Sequence, residues 1–222
     1  TYLAVNKVPS KEINRKLLHC LAVVIPVGIF YGPSWLGLSQ LSICIIISSL
    51  LLSSVVIETA RLKNTFCRKW FQYLFSSMLR QEESQQITGA TYVLAGGLLC
   101  SLLALISESA CAAAFLGFTL FVLGDAAAAL AGKAFGRVRV GRKTLEGALG
   151  CYLLCVVLGA FLFPQLPTFL AVWGGELSLS QIFLIAGVIT LLEFFPIQIG
   201  RLTINDNLYV PALATLAAML LR

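Results

Sequence analysis

Apolar residues come in long runs along this chain, separated by short charged segments. The runs cover roughly residues 13–31, 38–58, 87–106, 109–131, 145–163, 180–196 and 206–221. Each is close to the about 20 residues a helix needs to cross about 30 Å of hydrocarbon. A helix also satisfies its own backbone polar groups there, which an open strand cannot do. The pattern predicts an all-α, polytopic integral membrane protein of about seven transmembrane helices, with residues 1–222 forming a single transmembrane domain. The sixth run is short and carries Glu193 and Pro196. The seventh opens on Asn205-Asp206-Asn207, a helix N-cap cluster, with Pro211 in its first turns.

The longest non-spanning segment, residues 62–86, alternates aromatic and aliphatic residues with charges at helical spacing from Phe66 to Arg80. It predicts an amphipathic helix lying in the interface, a membrane anchor more than a substrate gate. Trp35, Trp70 and Trp173 fall near run boundaries, as an aromatic belt requires. There is no linker, low-complexity tract or internal repeat.

Composition agrees with a membrane protein. The chain is 59% hydrophobic and 12% charged, against about 25% charged residues in a soluble domain. Charge then sets orientation. Lys7, Lys11, Arg15 and Lys16 precede the first run. Arg61, Lys63, Arg68, Lys69 and Arg80 lie between the second and third. Lys133, Arg137, Arg139, Arg142 and Lys143 lie between the fourth and fifth, and Arg201 between the sixth and seventh. With seven crossings, every basic residue except Arg222 falls on one face. The positive-inside rule makes that face cytoplasmic, with the N-terminus inside and the C-terminus outside. The bias accounts for the net charge of +6. It does not call for nucleic acid, because the aromatics lie inside the apolar runs. It does favour anionic lipid headgroups and nucleotide phosphates. The seven Cys are scattered and show no CxxC pair, so no zinc site or disulfide framework is expected and they read as small apolar filler. A cleavable signal peptide is not expected, since the first run is long and contains His19.

The candidate chemistry centres on Gly124-Asp125-Ala-Ala-Ala-Ala-Leu-Ala-Gly132-Lys133-Ala-Phe-Gly136-Arg137-Val-Arg-Val-Gly-Arg142-Lys143-Thr144-Leu-Glu146-Gly147. Asp125 sits about a turn and a half inside the fourth helix, where an isolated charge costs on the order of 2.5–3.5 kcal/mol. A basic, glycine-rich loop, residues 132–147, follows. An acid that holds Mg²⁺ beside a loop that takes an anion suits phosphate chemistry. The loop lacks the GxxxxGK[ST] order of a P-loop, although Lys143-Thr144 precedes a helix whose N–H groups can meet phosphate oxygens. Ala128, Ala129 and Gly132 share the Asp125 face, a small-residue stripe that also permits close helix packing.

Five carboxylates, Glu58, Asp125, Glu146, Glu193 and Asp206, fall at the cytoplasmic ends of five helices, the pattern of a site built between them. Other readings stand beside this one. Glu58 and Arg61, one turn apart, equally make a surface ion pair. Glu146 and Asp206 suit helix N-termini through the dipole alone. His19, the sole histidine, is either a packed core residue or a substrate contact. Glu193, flanked by leucines and phenylalanines, is harder to explain without a site.

Several blocks occur in order: Asn14-Arg15-Lys16-Leu-Leu-His19, Glu58-Thr-Ala-Arg61, Thr88-Gly89-Ala-Thr-Tyr92, Gly124-Asp125 through Gly132, Gly136-Arg137, Lys143-Thr144-Leu-Glu146-Gly147, and Glu193 followed by Asp206-Asn207 and Pro211. Together they resemble the CTP-dependent lipid kinases (dolichol kinase, phytol kinase and the CTP-type diacylglycerol kinase) over nearly the whole chain. The central block also resembles the phosphatidate cytidylyltransferases, but the C-terminal block fits the kinases better. The resemblance implies CTP as donor, Mg²⁺ as cofactor and a membrane lipid alcohol as acceptor. It implies Asp125, Lys143 and Glu193 as catalytic, and Asp125, Glu193 and Asp206 as metal ligands. The nucleotide would be held by Gly124, Lys133, Gly136, Arg137, Arg142, Lys143, Thr144, Glu146, Gly147 and Asn207. The substrate would meet Lys16, His19, Glu58, Arg61, Thr88 and Gly89. No residue is assigned as general base. The implied location is the cytoplasmic face of a bacterial inner membrane. The alternatives are a CDP-lipid synthase of the cytidylyltransferase kind, an ion-coupled transporter with carboxylates along its path, and a non-catalytic scaffold, which leaves Asp125 unexplained.

Overall fold

The computed structural model describes residues 9–75, 85–200 and 202–222, with backbone alone for Ser10, Lys11 and Leu202. Lys7, Arg80, Glu82, Glu83 and Arg201 lie outside the described residues. The fold is all-α. Helices α1 (Ser10–Cys20) and α2 (Val24–Leu36) are joined by one 3₁₀ turn, so the first run is one long rod, ended by Gly37 in a left-handed cap. Then come α3 (Gln40–Lys63), α4 (Thr65–Phe75), α5 (Gly89–Ala104), α6 (Glu108–Phe135), α7 (Leu145–Val157), α8 (Pro167–Trp173), α9 (Leu179–Phe194) and α10 (Asp206–Leu221). Two antiparallel hairpins of two-residue strands interrupt them: β1 (Arg139–Val140) with β2 (Lys143–Thr144), and β3 (Gln198–Ile199) with β4 (Leu202–Thr203).

Among the described residues, four helical stretches are long and apolar enough to cross a membrane: Glu12–Leu36, Gln40–Lys63, Glu108–Phe135 and Leu145–Gln165. The runs predicted at 87–106, 180–196 and 206–221 form helices of 16 residues, about 24 Å long. Large apolar side chains such as Leu21, Val24, Leu52 and Phe161 face outward, as in a protein whose solvent is lipid.

Helix α6 is the axis of the bundle and touches α1, α2, α5, α7, α8, α9 and α10. Its N-terminus is capped by Ser107, whose side chain accepts from the Ala110 N–H at 3.1 Å. Residues 110–122 are buried without a break. It has small residues where neighbours come closest. A Cβ on Gly117 would lie 2.8 Å from the α10 backbone at Ala214 and Thr215. This is the close approach that small-residue stripes permit.

Several boundaries differ from the sequence reading: the first two runs continue as helix to Leu36 and Lys63, five residues past their predicted ends. Helix α9 stops at Phe194 and not at 196, because Phe195 precedes Pro196 and adopts an extended backbone. The fifth run is α-helical only to Val157. A π-helical turn (Leu158–Leu162) and a 3₁₀ turn (Phe163–Gln165) follow, and α8, which hydropathy did not separate, starts at Pro167. Helix α6 runs to Phe135, four residues past the predicted end. Asp125 therefore lies ten residues, about 15 Å, inside its C-terminal end.

Away from the basic end, Phe30, Phe115, Phe163, Phe169 and Trp173 stack into an aromatic core with ring centroids 5.0–5.6 Å apart. Trp173 is therefore buried, not part of a lipid-facing belt, and the Arg222 guanidinium donates to its carbonyl and to that of Val172. Trp35 and Trp70 are exposed. All seven cysteines are free thiols, five of them buried.

Candidate functional site

Three helices bring one carboxylate each to the end of the bundle that carries the basic hairpin. Asp125 projects from α6, Glu193 from the last turn of α9, and Asp206 from the first residue of α10. Their ligand oxygens lie within 4.8 Å of one another. The local sequence explains the placement of the last two. Pro196 ends α9, the β3–β4 hairpin reverses the chain, and Asn205 caps α10 by accepting from the Asn207 N–H at 3.0 Å.

Each carboxylate is bonded to an ammonium. Lys16, buried on α1, donates to Asp125 Oδ2 at 2.6 Å. His19 Nε2, one turn further, lies 3.1 Å from the same oxygen, with its ring edge toward Phe121. Lys143 Nζ bridges Glu193 Oε1 at 2.6 Å and Asp206 Oδ2 at 3.1 Å, and also donates to the Glu193 carbonyl. Burial works against the Lys143 charge, but Asp206 and Glu193 outweigh it and hold its pKa above the ordinary lysine value. Pairing of this kind is what allows charge to persist in an apolar interior, where an isolated ion is expensive. The sequence did carry a signal for the Lys16–His19 grouping: their i, i+3 spacing places both on one face of α1.

The donors suit a hard divalent cation such as Mg²⁺. Three carboxylates supply oxygen ligands at close range. Asn207, next to Asp206, adds a side-chain oxygen, Oδ1, that is buried without a hydrogen-bond partner. Pro211 also lacks the N–H that would serve the Asn207 carbonyl in a regular helix. Asp125, Glu193 and Asp206 are thus the residues able to hold such an ion.

The remaining predicted residues take other places. Of the five carboxylates, Glu58 and Glu146 stand apart from the cluster. Glu146 accepts from the Val138 N–H at 3.2 and 3.3 Å and so closes the β1–β2 hairpin. Thr144 caps α7, accepting from the Gly147 N–H at 3.1 Å. Lys133 pairs with Glu12 at 2.7 Å, and Glu12 also binds Arg15. Arg137 and Arg142 are exposed on the hairpin side of the site. Gly124 and Gly147 serve packing between α6 and α7, and Gly136 follows the last turn of α6. A Cβ on Gly147 would lie 2.7 Å from the Ala128 carbonyl, one on Gly124 would lie 2.9 Å from the sulfurs of Cys151 and Cys155, and one on Gly136 would overlap the Gly132 carbonyl.

Glu58 and Arg61 are not a surface pair, since both are buried. Arg61 Nε donates to Glu58 Oε2 at 2.7 Å, and its Nη2 donates to the Gln86 carbonyl at 2.6 Å. Thr88 precedes α5 at the capping position, but its hydroxyl donates instead to Glu58 Oε1 at 2.6 Å. The Arg61 guanidinium also stands 4.8 Å from the centre of the Phe71 ring of α4. This network ties α3, α4 and the entry to α5, where Gly89 is the first helical residue.

Comparison of the chain with protein-family models, with curated proteins and with solved structures found no match in any of the three.

Proposed function

We propose that this protein is a membrane-embedded phosphotransferase that moves the γ-phosphoryl group of CTP to the hydroxyl of a membrane lipid alcohol. Polyprenols, phytol-like isoprenoid alcohols and diacylglycerol are the acceptor classes. In this reading seven helices cross the bilayer, α1 and α2 together counting as one. The basic end faces the cytoplasm, in a bacterium from the inner membrane.

The observation that carries the reading is the convergence of Asp125, Glu193 and Asp206 within 4.8 Å, beside Lys16, Lys143 and a basic hairpin, at one end of an apolar bundle. Phosphoryl transfer asks a protein mainly for positioning and for stabilisation of charge on phosphate oxygens. Mg²⁺ bound by the three carboxylates would neutralise and orient the phosphates. Lys143 reaches the cluster from the hairpin and supplies a movable positive charge. Arg137 and Arg142 extend that field into solvent, where an incoming triphosphate is met first. Lys16 fixes Asp125, and His19 Nε2 stands 3.1 Å from the same oxygen. The acceptor enters sideways between helices, so that its tail stays in hydrocarbon while its hydroxyl reaches the carboxylate level.

One alternative uses the same features. A CDP-lipid synthase needs the same nucleotide and metal but attacks the α phosphorus and releases pyrophosphate. Transport is less well supported. The three carboxylates gather beside Lys143 and the basic hairpin, whereas a transporter is expected to spread its charged groups along a path through the bilayer.

The test uses purified protein, Mg²⁺, a panel of lipid alcohols plus phosphatidate, and CTP labelled at either the α or the γ phosphate. Label reaching lipid from the γ position supports the kinase, and the labelled lipid identifies the acceptor. Transfer from the α position supports the synthase. No transfer from either position rejects both.

A further inference from the structure

We infer that Lys16 and Lys143 are resident counter-ions of the carboxylate cluster, so that the site accepts a divalent cation only together with a polyphosphate that draws Lys143 away. The inference rests on the proposed metal–nucleotide reading of this site and adds to it a rule for the order of occupation.

A lysine kept for phosphate alone would be expected to stand in open space. Lys143 does not. Its ammonium is bonded to Glu193 and Asp206 at 2.6 and 3.1 Å, while that of Lys16 is bonded to Asp125 at 2.6 Å. Every carboxylate able to bind the cation is thus already bonded to an ammonium of the protein's own, Lys143 being shared by two of them. Three carboxylates against two ammonium groups leave one formal negative charge, with His19 neutral. A divalent ion entering alone would reverse that sign in a largely buried pocket and stand beside two ammonium groups held by the same carboxylates. Such repulsion is screened far less there than in water. A triphosphate entering with the ion removes the conflict, because its oxygens give the displaced ammonium a new partner.

The two lysines are not equivalent. Lys16 is 3% exposed, on the regular helix α1, and holds Asp125 in place. The Lys143 side chain is 24% exposed and starts from a two-residue strand beside the exposed turn at Gly141 and Arg142. Its flexible four-carbon stem can swing while the helices stay fixed. Lys143 is therefore the displaceable partner and Lys16 the fixed one. The nearby Arg15 and Lys133 are held by Glu12 and do not compete for the three carboxylates.

Coupling of this kind is reciprocal: whatever factor the nucleotide adds to cation affinity, the cation adds to nucleotide affinity. The test measures Mn²⁺ binding to the full chain in detergent by loss of the free-ion electron paramagnetic resonance signal. It is run alone, with CTP and with inorganic pyrophosphate, after correction for complexes formed without protein. In the wild type, Mn²⁺ alone binds weakly and CTP tightens it by roughly tenfold or more. Lys143→Gln binds Mn²⁺ alone roughly tenfold more tightly than the wild type, and the effect of CTP shrinks accordingly. Lys69→Gln, which removes an equal charge from an exposed site on α4, behaves as the wild type. Tight Mn²⁺ binding by the wild type without any anion, unchanged in Lys143→Gln, overturns the counter-ion role but leaves the metal centre standing. Tightening by pyrophosphate but not by CTP upholds the inference and rejects the nucleotide assignment. Absence of Mn²⁺ binding under every condition rejects both. Should Lys143→Gln fail to fold, the wild-type series alone decides, since no anion-dependent tightening there overturns the inference.

Discussion

Replacing Glu58 by Gln separates a structural role for the buried α3–α5 network from a role in substrate binding. The substitution keeps shape and removes one charge. Arg61, 2% exposed, then keeps its positive charge without the carboxylate that accepts from its Nε at 2.7 Å. At that distance and an effective dielectric constant of about 20, the direct attraction is about 6 kcal/mol. Part of this is offset because the variant no longer buries a carboxylate and Gln86 and Phe71 still contact the guanidinium. Breaking one partner of a buried pair typically costs about 3–5 kcal/mol. For a chain of this size that lowers the melting temperature by roughly 6–20 °C. The assay is thermal unfolding in one detergent at one scan rate, with CTP turnover measured well below the transition. Arg61→Met and the double variant Glu58→Gln/Arg61→Met complete a cycle. The double variant is expected to be less destabilised than the sum of the singles by at least about 1 kcal/mol. Turnover per folded molecule stays near wild type throughout. An unchanged melting temperature with lost turnover would refute this reasoning and move Glu58 into substrate contact.

Two further outcomes follow from the bundle. Asp125→Asn keeps a hydrogen-bond acceptor near Lys16 but removes the central ligand charge. Phosphoryl transfer should fall at least about a hundredfold while the protein remains monodisperse on gel filtration, and normal turnover would remove Asp125 from the chemistry. Gly117→Val places side-chain carbon where the α10 backbone stands 2.8 Å away. It should destabilise the fold by roughly 1–3 kcal/mol, read as a lower melting temperature, and an unchanged value would mean that α6 and α10 are not in that contact.

The apolar runs of this chain largely determine its helices, because a backbone in hydrocarbon must bond to itself and few lengths of sequence allow that. The same reasoning marked Asp125 and Glu193, since a carboxylate set among Ala, Gly, Leu and Phe has no inexpensive explanation. Helix ends were legible where local chemistry sets them, as at Asn205, and misjudged where a proline acts on its predecessor, as at Phe195. Only the tertiary structure decided which carboxylates meet. Hydropathy gives position along a helix axis but leaves rotation about that axis open, and a residue's facing turns by about 100° with each step along the chain. Packing around α6 turned Asp125, Glu193 and Asp206 toward one another and left Glu146 on the hairpin, while packing of α3 against α5 buried the Glu58–Arg61 pair. It also delivered Lys16 and Lys143 to the same cluster from 127 residues apart, a pairing that local patterning cannot encode. Only the structure shows that Gly124 and Gly147 lie where α6 and α7 approach closely, whereas Gly141 turns the β1–β2 hairpin at positive φ, because the sequence marks a missing side chain without saying what comes near it.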